Sequence, residues 1–231
     1  MSRRTFLPIA IAAVFATACI MLGTWQLRRR AERAARNASV AARLAEAPAP
    51  LTAAAPLRRY QRVFMTGVAD YSQQLVLTHR TREGSPGVHL LTPVRVAGRD
   101  TLILVNRGWV YSFDASRIDA VPWRESDTLV VQGWLDSMPE GTPAAIDERR
   151  IARLELAKIR PLLASPVSPF VVVATGESVA VRNRPARLPP PSLDPGPHLS
   201  YAIQWFSFAL IALVGTGYWV ISQRRRTLPN Q

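Results

Sequence analysis

Two uncharged apolar stretches, one near each end, limit what the chain between them can become. Residues 6–27 read FLPIAIAAVFATACIMLGTWQL, and residues 201–222 read YAIQWFSFALIALVGTGYWVIS. At a rise of about 1.5 Å per residue, a helix needs about 20 such residues to cross a bilayer core. Each stretch therefore predicts a transmembrane helix. Trp25, Tyr201, Trp205, Tyr218 and Trp219 supply the amphipathic rings that settle at headgroup depth. The first stretch also carries small residues at Ala16 and Ala18, as a cleavable export signal would. Its apolar character continues through CIMLGTW, past the end of a signal core, so an uncleaved anchor is expected.

The formal charge of +13 would first suggest nucleic acid. Its placement argues otherwise. Arg28, Arg29, Arg30 and Arg33 follow the first stretch, Arg182, Arg184 and Arg187 precede the second, and Arg224, Arg225 and Arg226 close it. Arginine at the end of an apolar segment is ordinarily a headgroup anchor. No reader motif accompanies the charge, and no nucleic-acid partner is expected. Cys19 is the single cysteine, so no disulfide forms within the chain and no paired-cysteine copper or redox motif exists. Arginine placement leaves orientation open. Arg28 to Arg43 outweigh Arg3 and Arg4 across the first stretch, but the positive-inside rule weakens over so long an intervening segment.

Between the stretches the pattern changes twice. Residues 28–57 form an Ala-rich helical extension followed by the linker APAPLTAAAP. Residues 58–181 then break into short runs rich in Val, Leu and Thr: RRYQRVFMTGVA, QQLVLTHR, GVHLLTPVRV, DTLILVNRGWV, TLVVQGWLD and SPFVVVAT. These read as strands, with GRD at 98–100 as a hairpin turn. AIDERRIARLELAKIR at 145–160 reads as a helix stopped by Pro161. Residues 182–200 are a Pro/Arg-rich linker. The expected fold class is a membrane protein: two transmembrane α-helices flank a mainly β (α+β) soluble domain. Short tails, 1–5 and 223–231, lie beyond the spans.

The inventory of chemistry is sparse. No HExxH, GxSxG, phosphate-binding loop or dinucleotide fingerprint occurs, and no catalytic function is expected. Glu125 and its acidic neighbours read as a solvated loop. Asn106-Arg107-Gly108-Trp109-Val110 reads as a turn closing a strand, with Gly108 in a permissive conformation and Trp109 buried. His79 and His89 fall within strand runs. His198 stands three residues before the second stretch, on a helical face with Tyr201 and Trp205. Position alone allows an amphipathic interfacial imidazole or an axial ligand for a membrane-soluble haem.

LGTWQLRR, VFMTGVAD, GVHLLTPV, LVNRGWV and HLSYAIQW, in that order, resemble the surfeit locus protein 1 family of cytochrome c oxidase assembly factors. Tyr111 stands where many relatives carry proline. The resemblance implies a multi-pass protein of the bacterial inner membrane, its β domain in the periplasm and its termini in the cytoplasm. It implies a chaperone that assists haem a insertion into, or stabilisation of, the oxidase catalytic subunit. The implied partners are that subunit, other oxidase assembly factors and the lipid bilayer. His198 is then the candidate haem ligand, with Tyr201, Trp205, Trp25 and Gln26 lining the site. Gly23, Asn106, Arg107, Gly108 and Trp109 are motif residues of structural role. The alternative is a scaffold that binds oxidase subunits without carrying haem.

Overall fold

The computed structural model describes residues 3–52, 56–143, 149–176 and 184–226. In chain order its elements are helix α1 (Arg3–Ala45), strands β1 (Ala49–Pro50), β2 (Arg62–Ala69), β3 (Leu75–Arg82), β4 (Ser85–Val96), β5 (Leu102–Tyr111), β6 (Thr128–Ser137) and β7 (Arg150–Ile151), then helix α2 (Leu156–Ile159), strand β8 (Val167–Ala174) and helix α3 (His198–Arg226). Two compact units result. One joins Met1–Val40 with Leu193–Gln231, and the other is Ala41–Ser192.

The first unit is a pair of helices. Ala16 and Cys19 of α1 pack against Ala209 of α3, with Trp205 beside them. Further along, a side chain added at Gly23 would meet the Phe206 ring at 2.6 Å, so only glycine lets the helices approach there. Numbers rising on α1 meet numbers falling on α3, which makes the pair antiparallel. Small residues at such a contact are what two apolar helices need when van der Waals packing alone must join them. The other faces leave Leu7, Ile11, Val14, Ile203, Leu210 and Ile211 exposed. Both helices are long and apolar enough to cross a membrane. The helical extension read after the first stretch continues α1 without a break to Ala45.

The second unit is a closed barrel. β2 pairs antiparallel with β6, β6 antiparallel with β8, β8 parallel with β5, and β5 antiparallel with β4. The end of β4 returns to β2 at Gly67↔Val96, which completes the circuit. A Cβ at Gly67 would sit 2.6 Å from the Arg95 carbonyl oxygen, so closure depends on that glycine. Val63 and Met65, Ile103 and Val105, and Leu129 and Val131 alternate into the barrel core. Leu104 points the other way, into a second core with Leu75, Leu91, Ile159 and Val171. Burial on both faces explains why β5 is a continuous apolar run and not an alternating one.

The GRD hairpin joins β4 to β5, with Gly98 at φ 75. The helix read over 145–160 is corrected. Among the described residues only Leu156–Ile159 is α-helical there, followed by a single 3-10 turn at Arg160–Leu162, and residues 144–148 lie outside them. Arg149 adopts φ 59, and Arg150–Ile151 pairs in parallel with β3 as strand β7. Ile151 is thereby drawn into the second core, and that tertiary contact outweighs the helical spacing of the run.

Candidate functional site

The Asn-Arg-Gly-Trp motif lies inside β5, not at its end. Leu91 pairs with Asn106 and Leu90 with Gly108, so Arg107 is the extra residue of a β-bulge. Gly108 accordingly takes φ 131, and a side chain on it would run into the Ala186 carbonyl. The bulge delivers Arg107 to the interior, where it is 1% exposed. Its Nε donates to Thr92 Oγ1 (2.9 Å) and its Nη2 to Gln74 Oε1 (2.7 Å). Nη1 donates to the Trp123 carbonyl (2.6 Å) and to Glu125 Oε1 (2.9 Å). Glu125 Oε2 accepts in turn from Arg187 Nη2 at 2.6 Å. Burial lowers the pKa of the Arg107 guanidinium, and the Glu125 carboxylate opposes that shift.

Two expectations change here. Glu125 is not a solvated loop residue but the carboxylate shared by two arginines. Trp109 is only half-buried, its ring laid across Gly87, whereas Asn106, Arg107 and Gly108 are buried. The Trp109 backbone pairs with Ala186 in both directions, at 2.8 and 2.9 Å. With every nitrogen of the Arg107 guanidinium engaged, the cluster is a clasp joining β5, the loop at 121–125 and the segment around Ala186. It offers no open position for chemistry.

His89 is similarly committed. Asn106 Oδ1 accepts from the Gly108 N–H at 3.2 Å, which turns the amide nitrogen of Asn106 toward His89 Nδ1, also at 3.2 Å. Nδ1 therefore accepts, and the ring proton sits on Nε2. Burial, aided by the charge of Arg80, pushes this imidazole down to about 4. His79 is exposed, with Nδ1 2.8 Å from Thr78 Oγ1.

His198 is different. It is the first residue of α3, and its Nδ1 lies 2.7 Å from Gln26 Oε1 on α1. A carbonyl oxygen has no proton to give, so Nδ1 is the donor. The neutral ring then leaves Nε2 with an unprotonated lone pair. The structure thus brings together two of the residues singled out in the sequence. Trp205 lies further along the same helix contact. Tyr201 is 47% exposed, and Ala202, at 1%, takes the buried place beside His198 on that face. Trp25 is half exposed beneath the Arg29 guanidinium, 5.9 Å from the ring centroid. Gly23 sits three residues before Gln26 and permits the close approach. Of the cations near the second stretch, Arg187 is held by Glu125, and Arg182 lies outside the described residues. Arg33 lies beside Gly196, two residues before His198. Among the described residues no group of three or more His, Cys, Asp or Glu could hold a metal ion. What His198 offers is one imidazole nitrogen, Nε2, beside the Nδ1 bonded to Gln26.

The family model described as SURF1 family matches residues 13–210, a span that includes Gln26, the β5 bulge and His198. Similar proteins include an uncharacterized SURF1-like protein of Mycobacterium tuberculosis, 28% identical over 96% of this chain and 86% of its own length. A SURF1-like protein of Monosiga brevicollis is 29% identical, over 88% of this chain and 83% of its own. One of Rickettsia felis is 26% identical, over 86% and 90%.

Proposed function

The chain belongs to the SURF1 family, and from that membership we propose that it is a membrane-anchored assembly factor for haem-copper cytochrome c oxidase. It handles haem a for the catalytic subunit and performs no catalysis of its own. Its place is the bacterial inner membrane, with α1 and α3 as spans, the barrel in the periplasm and both termini in the cytoplasm. Its partners are the oxidase catalytic subunit, other oxidase assembly factors and the bilayer.

The observation that carries this reading is the His198–Gln26 pair. A histidine that holds haem iron has one ring nitrogen free for the metal and the other fixed by a hydrogen bond. His198 meets both conditions, so the residues fit the group. His198 Nε2 would hold the iron, and Trp205 would contribute apolar surface near it. Arg33 is a cation available to a propionate. Bound haem would supply an iron centre for delivery, while the chain's own residues bind, orient and shield it.

The test is spectroscopic. Full-length protein, produced in cells that make haem a and purified in detergent, is expected to show a Soret band. His198→Ala should remove or shift that band, while His79→Ala and His89→Ala leave it in place. An unchanged band in His198→Ala overturns the assignment.

A scaffold that binds oxidase subunits without haem is the second reading, and one surface favours it. The β2–β6 register sets Val130 (80% exposed) opposite Thr66, between Phe64 (49%) and Val68 (59%), on the outer face of the barrel. An exposed apolar patch on a sheet face is an ordinary protein-docking surface. This reading predicts co-purification of oxidase subunits with no Soret band.

A further inference from the structure

The His198–Gln26 hydrogen bond joins residues 172 positions apart, and the chemistry of its acceptor matters as much as its length. A neutral imidazole left to itself favours the proton on Nε2, the nitrogen that points away from the backbone. Ligation through Nε2 then requires moving that proton first. Gln26 Oε1 removes the requirement, because it accepts only from a protonated Nδ1. The ring is held in the ligating tautomer before any iron arrives.

The acceptor is also a neutral amide. Histidine ligands commonly donate their second N–H to a carboxylate, backbone carbonyl or water, and the partner raises ligand basicity according to its own charge. A carboxylate pulls hardest on the proton and makes the imidazole a strong donor to ferric iron. An amide oxygen pulls less. Strong donation suits a resident haem, whereas moderate donation suits one that must leave.

The acceptor's location adds a second constraint. Gln26 belongs to α1 and His198 to α3, so their bond forms only while the two helices are in register. That register rests on Ala16, Cys19 and Gly23 meeting Ala209 and Phe206. We propose that Gln26 is a positioning residue that holds His198 as a pre-tautomerised, moderate-strength ligand, so that haem binds readily and is released when the helix contact loosens. The proposal rests on the haem-carrier reading above and extends it to how the cargo is given up.

The experiment compares wild type, Gln26→Leu and Gln26→Glu as full-length proteins in detergent. Leucine keeps the bulk but cannot accept a proton, and glutamate restores an acceptor that carries charge. In haem-free protein labelled with nitrogen-15 histidine, the wild-type His198 ring should report a bare Nε2. Gln26→Leu should shift the ring to the Nε2–H form. In haem-loaded protein, transfer to apomyoglobin should be about 10–100-fold faster from Gln26→Leu, the usual loss when the partner of a metal-ligating histidine is removed. Gln26→Glu should transfer more slowly than wild type and show a more negative reduction potential. Equal transfer rates and potentials in all three proteins overturn the proposal, as does a His198 tautomer indifferent to Gln26→Leu. A wild-type protein that takes up no haem removes the carrier reading, and this inference with it. A wild-type Soret band with unaltered Gln26 variants removes this inference alone.

Discussion

The barrel and the helix pair each contain a cationic or imidazole side chain gripped by a side-chain amide, and they treat it in opposite ways. In the barrel, Arg107 is 1% exposed and spends Nε, Nη1 and Nη2 on Thr92, Trp123, Glu125 and Gln74. In the helix pair, His198 spends Nδ1 on Gln26, and no hydrogen bond to Nε2 occurs among the described residues. The two histidines that meet amides sharpen the contrast. His89 faces an amide nitrogen, so its proton is on Nε2, whereas His198 faces an amide oxygen, so its proton is on Nδ1. Saturation marks a group that holds the fold together. An unclaimed lone pair marks a group free to act.

The sharpest way to break the comparison is Arg107→Leu. Removing one partner of a buried ion pair typically costs about 3–5 kcal/mol, because the remaining charge loses its compensation. Glu125 would keep Arg187, which moderates the loss, while Thr92 and Gln74 would each lose the guanidinium and keep only the hydrogen bond that Thr92 Oγ1 donates to Gln74 Oε1. Thermal unfolding followed by circular dichroism should show a drop of that order, a large share of a typical domain's stability. A change under about 1 kcal/mol would mean the clasp is not structural after all.

Acid provides the next test. The folded state keeps His89 neutral down to about 4, against an ordinary value of 6.5. Between those values the unfolded chain binds a proton that the folded chain does not. Stability from this residue is therefore fully present above pH 6.5 and is lost as pH falls toward 4. The loss amounts to roughly 3 kcal/mol. His89→Gln should flatten that part of the pH profile, which separates it from the carboxylates titrating lower. A profile identical to wild type would place the acid sensitivity elsewhere.

How far the sequence reveals this molecule depends on how local each feature is. The strand runs were legible because period-two alternation and their Gly or Pro ends lie within a few residues of one another. Barrel closure was not, because Gly67 meeting Val96 is a non-local pairing with no mark in either run. Arg107 stood out as a motif residue, but its burial did not, since a bulge becomes visible only when the partner strand's register is known. At the candidate site, the family resemblance put Gln26 and His198 in one place, but nothing in their own spacing showed the hydrogen bond between them. A signal was present in retrospect. Ala16, Cys19, Gly23 and Gln26 share one helical face, and His198, Ala202, Trp205 and Ala209 share another. Matching those two faces antiparallel puts the glutamine beside the histidine.

An effect no larger than the acid loss is expected at Gly87, where Trp109 rather than Arg107 is the neighbour. A Cβ there would strike the Trp109 indole and the Val110 carbonyl, so Gly87→Ala must tilt the ring. Overpacking of this kind costs about 1–3 kcal/mol. The half-buried indole has room to swing out, but the Val110 carbonyl is backbone and does not, which favours the upper end. A red-shifted tryptophan emission with destabilisation toward that end is the expected result, and an unmoved spectrum would show that the backbone yields instead of the ring.

The smallest effect on folding should come from the residue with the largest proposed role. His198→Ala removes one hydrogen bond at a partly exposed helix start, and such a bond contributes about 0.5–1.5 kcal/mol net. Gln26 is not fully buried, so its freed oxygen can be rehydrated and the lower figure applies. The helix contact itself is made elsewhere, by Ala16, Cys19 and Ala209 and by Gly23 against Phe206. Thermal melts of His198→Ala should therefore fall within about 1 kcal/mol of wild type, far from Arg107→Leu. The Soret band should respond in the reverse order, lost in His198→Ala and kept in any Arg107→Leu protein that remains folded. A His198→Ala protein destabilised as severely as Arg107→Leu would place His198 among the structural groups, and the distinction between a saturated side chain and an unclaimed one would fail.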